Sequence, residues 1–409
     1  FGLRMARRRR AQGWLAILLL PMAILVLTRP LSERRSLVLA DSTAITVGLG
    51  VVVSAGSMWE MSGESGLVRL AAEAVLEEIA PQLSVLGVDA RVESDASTVH
   101  YKFVMPPESW PIAGELFFET LFTGRVGDGA VERARRRLLA AREIQAGVFT
   151  SEVRQGLAAA LHGEESRWAR PAMGQATTLE TLGTNDVRGV LRSRFQPSRT
   201  AAVVAGAVDP LGAHVVLRTA LGGGTLPILA PVPPVLRPGR LYLERSTITT
   251  WIALSFPFSD DVEPEAVRLL ATWLDDQLRP SAARPDVFAS STEIRRHGAG
   301  GTLDVYLVVS PERAGHWRRR VRDLIAEAGR SPLEDRAFEA LKRRHLGRRL
   351  LDLAAPEDRA IDAARQLFFD RRYTPPTEVI AALGAEDLQH AASGLKSPAE
   401  AVLGPRPNE

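Results

Sequence analysis

The residues able to do chemistry are few and widely spaced. The chain has no cysteine, which removes thiolate nucleophiles, disulfides and Cys-ligated zinc. Its seven histidines are His100, His162, His214, His297, His316, His345 and His390. A helix holds a metal through imidazoles four residues apart, because positions i and i+4 share a face. No two of these histidines are three to five residues apart. "HGEE" at 162–165 sets Glu165 three residues after His162 and reads as a solvated helix end. "RRH" at 295–297 and at 343–345 reads as charged surface. No Ser/His/Asp set and no pair of carboxylates emerges. "GAGG" at 298–301 reads as a hairpin turn before "TLDVYLVV", because a phosphate loop would need a helix after it. Charge at helical spacing does occur in "SGESGLVRLAAEAVLEEI", residues 62–79. There Arg69 and Glu73, four apart, could pair for about 0.2–0.5 kcal/mol, or meet a partner or a peptide instead.

The elements that would position these residues follow from hydrophobic period. "SLVLADSTAITVGLGVVVSAG" (36–56) is β-branched and apolar and predicts one or two buried strands. A helix is expected over 64–80, with Leu67, Leu70, Ala71, Ala74 and Val75 on one stripe. Then come a strand at 97–105, helices at 108–122, 129–147 and 151–162, and a strand at 199–208. Residues 222–239, "GGGTLPILAPVPPVLRPG", hold five Pro and four Gly, which forbids helix and central strand and marks a linker.

Beyond the linker the pattern restarts. "STITTWIALSFPF" (246–258) is similar to "STAITVGLGVVV", and "EAVRLLATWLDDQL" (265–278) to "GLVRLAAEAVLEEI". Val68-Arg69-Leu70 lies over Val267-Arg268-Leu269 at an offset of 199. A strand at 301–310 and helices at 312–329, 333–353 and 357–370 complete the second copy. Two copies of one strand–helix–strand–helix unit predict two similar α+β domains in tandem. Their expected bounds are 36–221 and 240–409.

The 409-residue chain is basic only at its start. Residues 1–35 contain eight Arg and one acid, a charge of +7, while the whole chain is +3; the remainder is therefore −4. A nucleic-acid footprint needs its basic residues on a folded face, so no nucleic-acid partner is expected. Five Arg precede an apolar run at 14–28. That run matches a signal segment or minimal anchor, and no A-x-A cleavage site follows. Residues 1–35 are expected to be a cytoplasmic Arg-rich tail and an uncleaved signal anchor. The body would then lie on the periplasmic or extracytoplasmic side.

With these blocks in hand, the chain resembles the pitrilysin/insulinase family of inverted-motif zinc peptidases, which includes the mitochondrial processing peptidase. The resemblance runs from about 36 to 406. It rests on "SAGSMWEMSGESGLVRLAAEAV", on "RPAMGQATTLETLGTNDVRGVLRSRFQPSRTAAVVAGAVD" (170–209), on "TWIALSFPF", and on "FEALKRRHLGRRLLDLAAPEDRAIDAARQLFFDRRY". It implies an antiparallel-rich sheet packed with helices in each domain, the two forming half of a clamshell. Active members carry H-x-x-E-H on the helix, two zinc ligands with a general base between them. Matched from Gly66, those positions hold Arg69, Ala72 and Glu73, and the distant third ligand matches Glu143 best. A guanidinium and a methyl group cannot replace imidazole and base, so the resemblance implies no bound zinc, no cofactor and no hydrolysis by this chain. The family also grips peptide through an Arg and a Tyr of the second domain. "DDQLRPSAARPDVFASS" places Arg279 at the first position and Phe288, without the hydroxyl, near the second. In two-chain members a motif-less chain completes the chamber of an active partner. The expected function is thus a non-catalytic, membrane-anchored subunit paired with an active zinc peptidase of the same family and contributing to peptide binding. The alternative is a scaffold subunit of a membrane complex, like the core subunits of the cytochrome bc1 complex.

Overall fold

A computed structural model describes residues 35–222, 237–298 and 300–405. The expected N-terminal anchor and most of the expected linker lie outside them. Among the described residues no helix is long and apolar enough to cross a membrane.

The first half runs β1 (Ser36–Ala40), β2 (Val47–Val53), α1 (Leu67–Val85), β3 (Asp89–Ser94), β4 (Val99–Met105), α2 (Trp110–Thr123), α3 (Asp128–Ala146), α4 (Phe149–His162), α5 (Ala176–Leu179), α6 (Thr184–Arg194), β5 (Thr200–Gly206) and α7 (Pro210–Leu221). The second runs β6 (Arg240–Glu244), β7 (Thr250–Phe258), α8 (Pro264–Leu278), β8 (Val287–His297), β9 (Gly300–Val309), α9 (Ala314–Arg330), α10 (Asp335–Asp352), α11 (Pro356–Phe369), α12 (Pro376–Ala382), α13 (Ala385–Ser393) and β10 (Ala399–Gly404).

Two five-stranded sheets result, in the orders β1-β5-β2-β4-β3 and β6-β10-β7-β9-β8. The second order is the first with five added to every strand number. In each sheet the first pair is parallel and the others are antiparallel. The duplication read from short sequence matches is therefore a duplication of topology, and the fold is the expected mixed α+β class.

Each sheet packs helices on both faces. Val47, Leu49, Val51 and Val53 of β2 face the larger core, with Leu70, Val75 and Ile79 of α1 and the rings of Tyr101, Phe103 and Phe117. Fully burying such aliphatic side chains contributes about 1.5–3 kcal/mol each. The alternate residues of β2 face the other way, as the two-residue period of a strand requires. That second face is covered by α11, which comes from the opposite half: Val52, Ala201, Val203 and Ala205 meet Ala360, Ala363, Ala364 and Leu367. The approach is close enough that a Cβ on Gly50 would stand 2.4 Å from the Ala360 carbonyl carbon. The exchange is reciprocal. Helix α4 of the first half covers the second sheet through Val153 and Leu157, against Ala253, Tyr306, Ala401 and Leu403. The two halves are thus joined by buried apolar surface on two separate fronts.

Candidate functional site

Helix α1 begins at Gly66, whose φ of 95° is in the left-handed region that favours glycine. Gly174 packs directly on it, so that a Cβ on Gly66 would come within 2.8 Å of the Gly174 Cα. The segment around Gly174 is pinned there by the Arg142 guanidinium, which donates to the Gly174 carbonyl, and by Arg170, which donates to the Glu60 carbonyl. The Glu60 carboxyl lies beneath this cover, 1% exposed, and accepts from the Gly66 and Val68 N–H groups at 3.0 Å each. It thereby satisfies two of the orphan donors of the first helical turn. Burial pushes this carboxyl up to about 7, against the pull of those two N–H groups and of Arg170.

One turn into α1, Arg69 Nη2 donates to Glu73 Oε1 at 2.7 Å, with side chains only 15% and 10% exposed. Between them Ala72 is sealed in the core, and its carbonyl accepts from the Tyr101 hydroxyl at 3.2 Å. Burial raises the Tyr101 hydroxyl well above the usual range, and the nearby Glu73 carboxylate raises it further. Glu143, near the end of α3, is exposed and makes no hydrogen bond or ion pair with Arg69 or Glu73. Of these four residues, Arg69 and Glu73 pair with each other although the Arg69 Nε is buried without a partner, Ala72 is a core methyl, and Glu143 is exposed. Among the described residues no group of three His, Cys, Asp or Glu side chains could hold a metal ion. Beside this region α3, α4, residues 169–173 and β6 enclose a cleft of about 660 Å³, with Arg142, Gln145, Gln155, Met173, Leu241 and Arg245 on its walls.

The two expected peptide-gripping residues are both at the surface. Arg279 follows α8, is 60% exposed, and pairs with Asp276 at 3.0 Å. Phe288 is the extra residue of a bulge in β8: Val287 pairs with Val309 and Ala289 with Val308. A bulge re-aims its side chain, and Phe288 is accordingly half exposed.

Three histidine readings need correction. The 343–345 segment is not all surface, because the helical period of α10 turns His345 toward α8, where it is 2% exposed. Its Nε2 meets Glu265 Oε1 at 3.0 Å and its Nδ1 meets Thr272 Oγ1 at 2.8 Å. Glu265 also accepts from Arg349 at 3.1 Å and from Arg268 at 2.8 Å. Burial alone would raise Glu265, but the His345 hydrogen bond and the two guanidiniums hold it down at about 2. The hydroxyl–imidazole–carboxylate chain has the order of a hydrolase triad. Its hydroxyl, however, donates to the Arg268 carbonyl of its own helix and is buried, so it cross-links α8 to α10. His297 is likewise buried, tucked under α4, and the Nδ1 of His162 is buried rather than solvated.

No protein-family model and no curated protein matches the sequence. Solved structures do match. One is the inactive domain of a peptidase M16 from Pseudomonas fluorescens, with a TM-score of 0.74 and 16% identity over 90% of this chain and 95% of that one. Another is a chain of complex III2 from Candida albicans, solved with Inz-5 bound, with a TM-score of 0.72 and 14% identity over 90% and 93%. The chain has the two-sheet, pitrilysin-like fold of the M16 peptidases, shared with an inactive member and with a complex III2 chain.

Proposed function

We propose that this chain is a non-catalytic subunit that pairs with an active zinc peptidase of the same fold and shapes the chamber in which peptide binds. The observation that supports the reading is the Arg69–Glu73 ion pair, on the helix face that the resemblance matches to the zinc face of active members. A chamber wall needs the fold and its cleft, not the metal. Residues 36–221 and 240–409 are proposed as its two domains, and residues 1–35 as a signal anchor holding the body at the extracytoplasmic face of a membrane. Arg279 and Phe288 are proposed to touch peptide, since both are exposed and so available to it.

A second reading, a scaffold subunit of a membrane complex without a role in proteolysis, is supported by the likeness to a complex III2 chain at a TM-score close to that of the M16 domain. The two separate in one experiment. The chain is purified from its native membranes in mild detergent and every stoichiometric companion is identified by mass spectrometry. A companion bearing H-x-x-E-H is the expected result. Companions that are only integral-membrane subunits would overturn the peptidase reading in favour of the scaffold.

A further inference from the structure

Where the two halves meet, the turn between β3 and β4, the end of α4, the short turn Arg167–Ala169 and the facing ends of β8 and β9 close around a cavity of about 70 Å³. A water's share of liquid volume is about 30 Å³, so the space suits two waters or one small oxyanion. His297 lines it, 7% exposed, and neither of its ring nitrogens has a hydrogen-bond partner. His162 lines it too, with a buried and unpartnered Nδ1. The Trp168 ring lies 5.9 Å from the first-half imidazole and 6.1 Å from that of His297. Buried polar groups are nearly always partnered, and three idle imidazole nitrogens on one cavity call for a hydrogen-bonding occupant.

The charges around the cavity decide which kind. Arg295 pairs with buried Asp304 at 2.5 Å and Arg296 with Asp370 at 2.7 Å. Asp95 also lines the space, but its carboxylate is engaged by the Ser97 and Thr98 N–H groups of its own turn, at 2.6 and 2.7 Å. Burial pushes His162 down to about 4, with Arg295 and His297 adding to it. Burial, Arg296 and Arg295 do the same to His297, outweighing Asp95 and Asp304. Burial, the first cause of both shifts, disfavours charge of either sign; the Arg295 and Arg296 guanidiniums on the wall are what argue against a metal cation and for an anion.

We propose that this cavity binds a small oxyanion of the phosphate or carboxylate class, held by the ring nitrogens of His162 and His297 with Arg295 and Arg296 beside them. Because the walls come from both halves, the anion ties one half to the other. A neutral imidazole donates from one nitrogen only, and protonation gives it a second donor. Both imidazoles, held at about 4 without the anion, gain a proton only as it binds, so binding tightens as pH falls and is tighter at pH 5 than at pH 7.

Trp168 reports the site. The intact protein is titrated with inorganic phosphate and, separately, with acetate at constant ionic strength, and tryptophan emission is followed at both pH values. A saturable change that chloride does not produce, and that Trp168→Phe abolishes, is expected; the arm that saturates first names the anion class. His297→Gln should weaken binding about tenfold, the cost of one hydrogen bond to a charged group. His162→Asn serves as the second variant where His297→Gln does not fold. Absence of saturation in both arms means that water alone fills the cavity, and overturns the proposal. An unchanged response in a folded variant overturns it equally.

Discussion

Arg69 and Glu73 stand one helical turn apart on α1 and close on each other at 2.7 Å, both mostly buried. An exposed i, i+4 pair contributes a few tenths of a kcal/mol. This one is different in kind, because removing one partner strands the other in a poorly solvated place. Arg69→Ala and Glu73→Ala are each expected to destabilise by about 1–3 kcal/mol. The double change to Ala at both positions should cost less than the sum of the singles. Urea unfolding of the four proteins in a double-mutant cycle measures the coupling. A coupling near zero would show that the pair is incidental.

Rebuilding the zinc motif tests how far the site has diverged. At the positions that the resemblance matches to the motif, Arg69→His and Glu73→His would supply two ligands, but Ala72→Glu places a carboxylate where the structure has no exposed surface, and Glu143 makes no hydrogen bond or ion pair with either residue. Structural zinc needs four ligands and catalytic zinc three from the protein. The triple variant is expected to be less stable than the parent by about 2–5 kcal/mol and to bind zinc no better than an isolated histidine pair. Calorimetric titration with zinc, alongside thermal unfolding, reads both. Tight stoichiometric binding without a partner chain would mean that only the ligands had been lost.

The joining of the two halves rests on α11 lying against β2, and Gly50 is, with Gly48, one of its two closest points. A Cβ there would stand 2.4 Å from backbone atoms of Ala360 and Ile361, which no rotamer change relieves. Gly50→Val should cost about 3 kcal/mol or more. Hydrogen exchange should show the protection of residues 356–369 falling before that of α8. Equal loss across both halves would instead indicate that the whole chain unfolds as one unit.

These relationships differ in how far the sequence reveals them. The strand β4 is plain in "VHYKFVM", whose alternation matches its buried and half-buried residues, and α1 is plain in its apolar stripe. The edge strands β3 ("DARVES") and β6 ("RLYLE") escape notice because they are short and polar on their open side, as edges are. The Arg69–Glu73 pair is readable because it is local. The Glu265–His345–Thr272 chain is not, since its members are 80 and 73 residues apart and meet only when α10 docks on α8. Nor does anything in "PEDRAIDAARQLFF" say that it covers the other half's sheet. Only the glycines of β2, which leave room for a backbone, hint that something approaches there.

Glu265 gives the protein an acid limit. Its folded-state carboxyl is held at about 2, below the unfolded value near 4.5, so its contribution is complete above that value and disappears as pH falls through the interval. The gap corresponds to about 3 kcal/mol at most. Glu265→Gln should therefore be destabilised at pH 7, where Arg268 loses its carboxylate and Arg349 keeps only Asp362, and should lose this group's share of the stability slope between pH 4.5 and 2. Chemical unfolding at closely spaced pH values checks this, and an unchanged slope in the variant would assign the acid limit elsewhere.

Glu60 acts in the opposite sense. Its folded-state carboxyl is raised to about 7, so the folded chain holds a proton that the unfolded chain releases above about 4.5. Stability from this group is complete below the unfolded value and falls as pH rises toward 7, by about 3 kcal/mol at most. Glu60→Gln cannot ionise, and it keeps one oxygen where two separate carboxyl oxygens meet the Gly66 and Val68 N–H groups. It should be less stable than the parent near pH 4.5 and, unlike the parent, lose no further stability as the pH rises to 8. The two profiles, measured by urea unfolding from pH 4.5 to 8, should therefore differ in slope across the interval. If they stay parallel, the two backbone donors and Arg170 hold the carboxylate ionised throughout, and burial of Glu60 is offset within the first turn of α1.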